Sequence, residues 1–508
     1  MALDSNRRDF LFTAIGLLTS QISAAFASPP LSQGAALLGR QAPGSDQPQA
    51  QNDKNAQVIS VAASVLDADA GDHALAWKRA LILANGRPVD VSGAWTFLTA
   101  LDASGYDVHT VGTATIDGSA VAAAYPVTLG GTLGASAALG ASVAKGAARI
   151  VSALSVHPGD LIKLVSTDLW STERSYYYKG ELARVLSASG GAIYLQGALN
   201  DSYAAATTTV SKINAKKISL DGQIEINRQG DTKGGFLIQW AKDIALNKPS
   251  TIQARERGIY VKECLGGYVA DGQTVASLPV GGTTNYGLVF DSCAEIVTIR
   301  GNYHAGRHGI STGGTFPCRD MMFDRTIADN DDASGSYCCD SHGNGERFVY
   351  RNVIARNGAT FQSIDTEVAG GVFSSRNQAN ALAFTPSRNA SYLKVSGGVF
   401  DASSQANGRG ITLTTAIAGL TIGEFSVTGR ASITANNPIY HIPFPSGSTT
   451  VRTFKIDNCD MAVKGQSTTA GVYVGTNYPV AKHRFSVSHQ QPVEMRSWQR
   501  DTVYRQHS

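Results

Sequence analysis

The chain has 508 residues, 43% hydrophobic and only 16% charged, with 53 glycines and 16 prolines. That length, with abundant Ala, Gly, Ser, Thr and Val, suits a turn-rich β architecture and excludes a helical bundle or a disordered tail. Lys+Arg 43 against Asp+Glu 40 leaves a net charge of +3, so no strong field calls for nucleic acid or an anionic membrane, and charge recognition has to be local.

In chain order the first element is an address. Arg7-Arg8 precedes an apolar run from Phe10 to Phe26, which closes on Ala25-Phe26-Ala27. This is the order of a charged region, an apolar region and a small-x-small cleavage site, and the arginine pair resembles a twin-arginine export signal. Residues 1–27 therefore read as a signal peptide and the mature chain as exported, to the periplasm or beyond. No later segment is long and apolar enough to span a bilayer. Residues 28–55, rich in Pro, Gln, Asn and Ser, lack apolar periodicity and read as a flexible linker. Residues 56–215 are expected to hold an N-terminal cap and irregular first coils. Within them Asp72 precedes a run in which Leu75, Ala76, Leu81 and Leu83 lie among good helix formers, predicting one short amphipathic helix. The chain then turns to period-two segments, at residues 89–91, 108–110, 161–164 and 193–195.

Residues 216–475 carry a repeat. Gly258-Ile259-Tyr260-Val261-Lys262, Gly287-Leu288-Val289-Phe290-Asp291 and Gly309-Ile310-Ser311-Thr312-Gly313 share one pattern, continued at residues 338–342, 363–367, 381–385 and 410–414. A second strand type lies between these blocks, and the spacing suits solenoid coils. One helix followed by hundreds of residues of short strands predicts an all-β parallel β-helix with a short N-terminal capping helix. Residues 476–508 are left as a C-terminal cap or tail.

Strand side chains alternate, so the first and third positions after each block start point inward and the second and fourth point out. Position four reads Lys262, Asp291, Gly313, His342, Glu367, Thr385, Thr414, and position two reads Tyr260, Val289, Ser311, Asp340, Asp365, Ala383, Thr412. The residue before each block reads Arg257, Tyr286, His308, Tyr337, Gln362, Asn380, Arg409. With coils roughly 4.8 Å apart, His308, Tyr337, Asp340, His342, Asp365 and Glu367 are expected to converge across three coils. Arg307, Lys262 and Arg351 offer cations to balance them. Cys264 and Cys293 are expected to stack on adjacent coils, as a disulfide or as a buried thiol ladder.

Tyr337-Cys338-Cys339-Asp340-Ser341-His342, with Arg356-Asn357-Gly358 after it, resembles the catalytic coil of alginate C5-epimerases, which carries Tyr-x-x-Asp-Pro-His on a right-handed parallel β-helix of the pectate-lyase-like superfamily. Tyr337, Asp340 and His342 match that motif; Ser341 replaces its proline. Arg307 and His308 lie one coil earlier, where the family places a cation. The stretch from Tyr177 to Leu182 is similar to the opening coils of pectate-lyase-like and phage-tailspike-like β-helices, and tailspike-like relatives often trimerise. The resemblance implies a right-handed helix acting on an acidic, uronate-containing polysaccharide.

Uronate epimerases and polysaccharide lyases share removal of the C5 proton, which needs a neutralised carboxylate, a base and an acid. His342 is the candidate base, oriented by Asp340. Tyr337 is the candidate acid, and the two roles can swap. Arg307, His308 or Lys262 would hold the carboxylate. Lys262, Tyr260, Asp365, Glu367 and Arg351 are the expected substrate-binding residues. The favoured reading is a lyase. The alternatives are an epimerase with the same site, a glycoside hydrolase using Asp340 with Asp365 or Asp365 with Glu367, and a non-catalytic carbohydrate-binding rod. The cysteines lack metal-site spacing and no nucleotide loop is present. Asp291, Asp340, Asp365 and Glu367 offer oxygen ligands to Ca2+, but no loop carries a calcium signature, so no metal is assigned.

Overall fold

The structure, a computed structural model, describes residues 58–474 except 229–233, 255, 276–284, 332–335, 390, 407, 418–419, 436–439, 443–449, 457–458 and 464–471. The expected signal peptide at 1–27, the linker at 28–55 and the tail at 476–508 all lie outside the described residues.

The glycine-led blocks stack into one parallel twelve-stranded sheet. In chain order its strands are β1 (Leu101–Ser104), β2 (Val127–Gly130), β3 (Phe236–Gln239), β4 (Arg257–Lys262), β5 (Tyr286–Asp291), β6 (His308–Gly313), β7 (Cys339–Ser341), β8 (Ala359–Phe361), β9 (Asn380–Phe384), β10 (Arg409–Leu413), β11 (Tyr440–Ile442) and β12 (Val472–Val474). The other two strands of each coil join a second parallel sheet; after β5 they are Ala294–Ile299 and Asn302–Ala305, and after β6 Cys318–Asp324 and Ile327–Asn330. The fold is a parallel β-helix.

Its interior follows from the alternation. Ile259, Val261, Leu288, Phe290, Ile310 and Cys339 are all buried, and each such side chain contributes about 1.5–3 kcal/mol on leaving water. Aromatic rings add stacks along the axis, Phe323 on Tyr350 at 5.0 Å and Tyr350 on Phe361 at 4.0 Å between centroids. Cys264, Cys293 and Cys318 are free and buried, with the Cys293 amide donating to Cys318 Sγ at 3.3 Å, so the thiol-ladder alternative is the one found. One corner of successive coils is held by left-handed residues, Lys248, Asp271, Arg300, Arg325 and Asn352, with φ from 50° to 56°. The amide of each donates to the next coil's carbonyl, as Asp271 does to Ile299 and Arg300 to Asp324.

The helix α1 (His73–Ala84) closes the N-terminal end, its first turn capped by the Asp72 carboxylate, which accepts from the Ala74 amide. It buries Ala74, Ala76, Trp77, Ala80, Leu81 and Ala84, whereas Leu75 and Leu83 stand exposed. Alanines let it lie close to the coil end, and Trp77 supplies the bulk against Trp95 and Phe97.

Two sequence expectations change. The parallel ladder begins well before residue 216: β1 pairs with β2 and β2 with β3. Between β2 and β3 the chain makes a separate six-stranded antiparallel sheet from Thr132–Ala138, Arg149–Val151, Leu161–Leu169, Tyr178–Ser189, Ala192–Leu195 and Thr208–Asn214, with its own core. The second change is a register slip. Asp340 pairs with Thr360 of β8, so residues 363–367 are not the next block. Asp365 and Glu367 sit on Ile364–Ala369, a strand of the other sheet, where Glu367 lies between Val349 and Lys394. Gly358-Ala359-Thr360-Phe361-Gln362 is the true repeat, and it brings no carboxylate to the patch.

Candidate active site

The register places His308, Asp340 and His342 on neighbouring coils, because β5 pairs with β6 and β6 with β7. His342 Nε2 lies 2.8 Å from Asp340 Oδ2, and His308 Nε2 lies 3.5 Å from the same oxygen. Asp340 and His308 are buried, while the His342 side chain keeps 21% of its surface. Ser341, the inward residue at the third position of this block, shares a hydrogen bond with Ser363 at 2.9 Å, which ties the base of the site to the next coil.

The electrostatics separate the three groups. Burial alone would pull the His342 imidazole down, but the charge and hydrogen bond of Asp340 outweigh it and leave it above the ordinary value. Burial pushes the Asp340 carboxyl up, and the attraction of His342, His308 and Arg307 overcomes that and holds it low. His308 is driven down by burial, against the pull of Asp340, which disfavours a cationic ring, and at 4% exposure it offers little surface to a substrate carboxylate. With Nε2 turned to Asp340, His342 Nδ1 lies close over Gly313, a position that only a glycine leaves room for. A β-carbon there would stand 3.3 Å from Nδ1 and 3.1 Å from Asp291 Oδ1.

The inserted sheet completes the site with residues that the repeat gave no sign of. Its long hairpin, Leu161–Leu169 to Tyr178–Ser189, turns through residues 170–177, and that tip lies on the β-helix. The Tyr178 amide donates to the Thr315 carbonyl at 2.8 Å, Ser171 Oγ donates to the Ser387 carbonyl at 3.1 Å, and Arg388 covers the Trp170 ring at 4.6 Å. The tip carries Glu173 and Arg174. A β-carbon on Gly343 would overlap Glu173 Oε2, so Glu173 rests directly on the residue after His342. Its Oε2 is buried without a hydrogen-bond partner among the described residues. Burial raises the Glu173 carboxyl, with Arg174 and His342 only partly offsetting it. The nearest sequence signal was the tyrosine-rich stretch from Tyr177, three residues past Arg174.

Other expected residues are distributed as follows. Arg307 is exposed beside the site, over the Tyr286 ring at 5.7 Å and donating to its hydroxyl at 3.2 Å. Tyr286 stacks on His308 at 5.1 Å. Tyr260 belongs to a buried cluster with Tyr125, Tyr286 and Val289; its hydroxyl donates to Asp291 and Arg257 covers its ring at 4.6 Å. Lys262 is on the same column as His342 but three coils earlier, roughly 14 Å at strand spacing. The Tyr337 hydroxyl accepts from Asn380 Nδ2 at 2.6 Å, two coils further on, and burial raises its pKa. Its carbonyl, not its phenol, serves the site, by accepting from His308 Nδ1 at 2.6 Å. Arg351 is paired with Asp324 at 2.8 Å on the other sheet, and Asp365 and Glu367 are away from the site as described. The four carboxylates offered to Ca2+ are therefore not brought together.

Arg257 and Arg307 thus lie over the buried Tyr260 and Tyr286 rings on the coils that lead to the histidine–aspartate pair. Residues 254–422 match the family described as Gp49, pectin lyase-like. Among solved structures, the chain is similar to the tailspike protein gp49 from Pseudomonas phage LKA1, with a TM-score of 0.64 at 19% identity over 80% of this chain and 77% of that one. It is also similar to the gp54 tailspike of Acinetobacter baumannii bacteriophage AP22 in complex with A. baumannii capsular saccharide (TM-score 0.62, 17% identity, 86% of this chain and 80% of that one). These likenesses establish the right-handed β-helix fold. No curated protein matches the chain.

Proposed function

We propose that the chain is an exported polysaccharide lyase that opens an acidic, uronate-containing glycan by C5 proton abstraction and β-elimination. The observation that carries it is the Asp340–His342 pair at 2.8 Å, in which Asp340 is buried and the His342 side chain keeps 21% of its surface. Asp340 fixes the proton on Nε2, so Nδ1 is bare and can take the C5 proton. The C5–H electron pair spreads onto the uronate carboxylate, where Arg174 and Arg307 are placed to balance the charge. The pair then forms the C4–C5 double bond as the C4–O bond breaks. The leaving oxygen takes a proton from Glu173, whose carboxyl burial raises above the ordinary value, in place of Tyr337. The saccharide in the gp54 tailspike supports a glycan as the ligand of this fold. Export rests on the arginine pair and apolar run at the N-terminus.

The opposite displacements of Glu173 and Asp340 also suit a glycoside hydrolase with Glu173 as acid, and this is the second reading. Chelator-treated protein on a panel of acidic polysaccharides separates them. Elimination makes unsaturated ends that absorb in the ultraviolet, hydrolysis makes reducing ends that do not, and a carbohydrate-binding rod makes neither. The lyase is expected to give the absorbance and His342→Gln to lose it; reducing ends without absorbance on every substrate cleaved would overturn it.

A further inference from the structure

His308 is 4% exposed and its ring is fully committed at one nitrogen. Nδ1 lies 2.6 Å from the Tyr337 carbonyl, and a carbonyl only accepts, so Nδ1 carries the hydrogen and Nε2 is the nitrogen left to ligate. That Nε2 has no hydrogen-bond partner among the described residues, and neither has Asp340 Oδ1. Nε2 instead faces Asp340 Oδ2 at 3.5 Å, and His342 Nε2 approaches the same oxygen at 2.8 Å. Two imidazole nitrogens and a buried carboxylate thus converge with polar atoms left unpartnered, which a bound cation would satisfy.

We propose that His308 Nε2, the Asp340 carboxylate and His342 Nε2 form a site for a zinc-class divalent cation. The three donor atoms lie within 4.8 Å of one another. Two imidazoles and one carboxylate match the three-ligand sets of zinc and its first-row neighbours and leave one position open. Ca2+ seeks six to eight oxygens and finds one carboxylate here. The Tyr337 carbonyl does what metal-binding histidines require, fixing the tautomer and the plane of the ring from behind. Binding moves the His342 proton from Nε2 to Nδ1, so the ring can no longer take a proton there. Occupancy therefore silences turnover. That last consequence rests on His342 being the base, whereas the binding itself does not.

The test uses the full chain without a polyhistidine tag, stripped with chelator. Titration with Zn2+ by calorimetry is expected to give one site per chain, and Co2+ to give the intense visible bands of a four-coordinate ion. His308→Ala is expected to weaken Zn2+ at least about 100-fold, more than loss of an outer partner does, whereas Asp365→Asn leaves it unchanged. If His308→Ala fails to fold by circular dichroism, Asp340→Asn decides, with the same loss expected. Absence of one-to-one binding, or binding that these variants leave intact, overturns the site. Metal-free protein inactive on every glycan yet binding one Zn2+ would discard the lyase and keep the site; active protein that binds no Zn2+ would do the reverse.

Discussion

His342 accepts a proton only when Nδ1 is bare, so turnover should rise with pH through a pKa above the ordinary histidine value of about 6.5, in the direction that Asp340 imposes. Asp340→Asn removes that pull. Its pH–rate inflection should move down and kcat fall at least about 100-fold, checked by pH–rate profiles of both proteins in chelator. Asp365 gives a stability test away from the site. Burial and the neighbouring Glu346 raise it from 3.8 to about 6. The folded chain thus keeps its proton to higher pH than the unfolded one, and stability falls as pH rises from about 4 to about 6. Asp365→Asn abolishes that slope and should add about 2 kcal/mol at neutral pH. Asn also tolerates the left-handed backbone at this position, φ 57°. Denaturant titrations at pH 4 and 8 measure it, with no gain expected at pH 4.

The left-handed corner makes demands on each coil in turn. Lys248, exposed and at φ 50°, should lose about 1–2 kcal/mol as Lys248→Val and gain up to about 1 kcal/mol as Lys248→Gly, read from the denaturation midpoint. The same periodic demands made the fold legible in the sequence. Glycine-led blocks at Gly258, Gly287 and Gly309 gave the correct register for β4 to β6, the block at residues 338–342 gave β7, and those at residues 381 and 410 gave β9 and β10. The register failed at β8 because the coil after Asp340 is short, and because Ile364-Asp365-Thr366-Glu367 alternates as well as Ala359-Thr360-Phe361 does. Alternation marks a strand in either sheet; only the leading Gly358 distinguished them. Glu173 and Arg174 were not legible at all. They reach His342 from a hairpin tip far upstream, a contact set by packing of the insert and not by any period.

A solenoid coil touches only its neighbours, so damage at one end leaves remote coils intact. Trp77, 2% exposed between α1 and the first coils, should cost about 3–5 kcal/mol as Trp77→Ala. The folded fraction should nonetheless keep full activity per molecule, because His342 lies many coils away; thermal melting and specific activity together check this. The thiols carry a different message about the whole chain. Cys264, Cys293, Cys318, Cys338 and Cys339 are buried and uncrosslinked, and burial pushes the Cys318 and Cys338 thiols up to about 12, far from the thiolate that oxidants attack. Stacked coils, not covalent links, hold these segments together. The described fold is therefore indifferent to redox surroundings: it can be completed in a reducing cytosol before any journey and persist in an oxidising exterior after it.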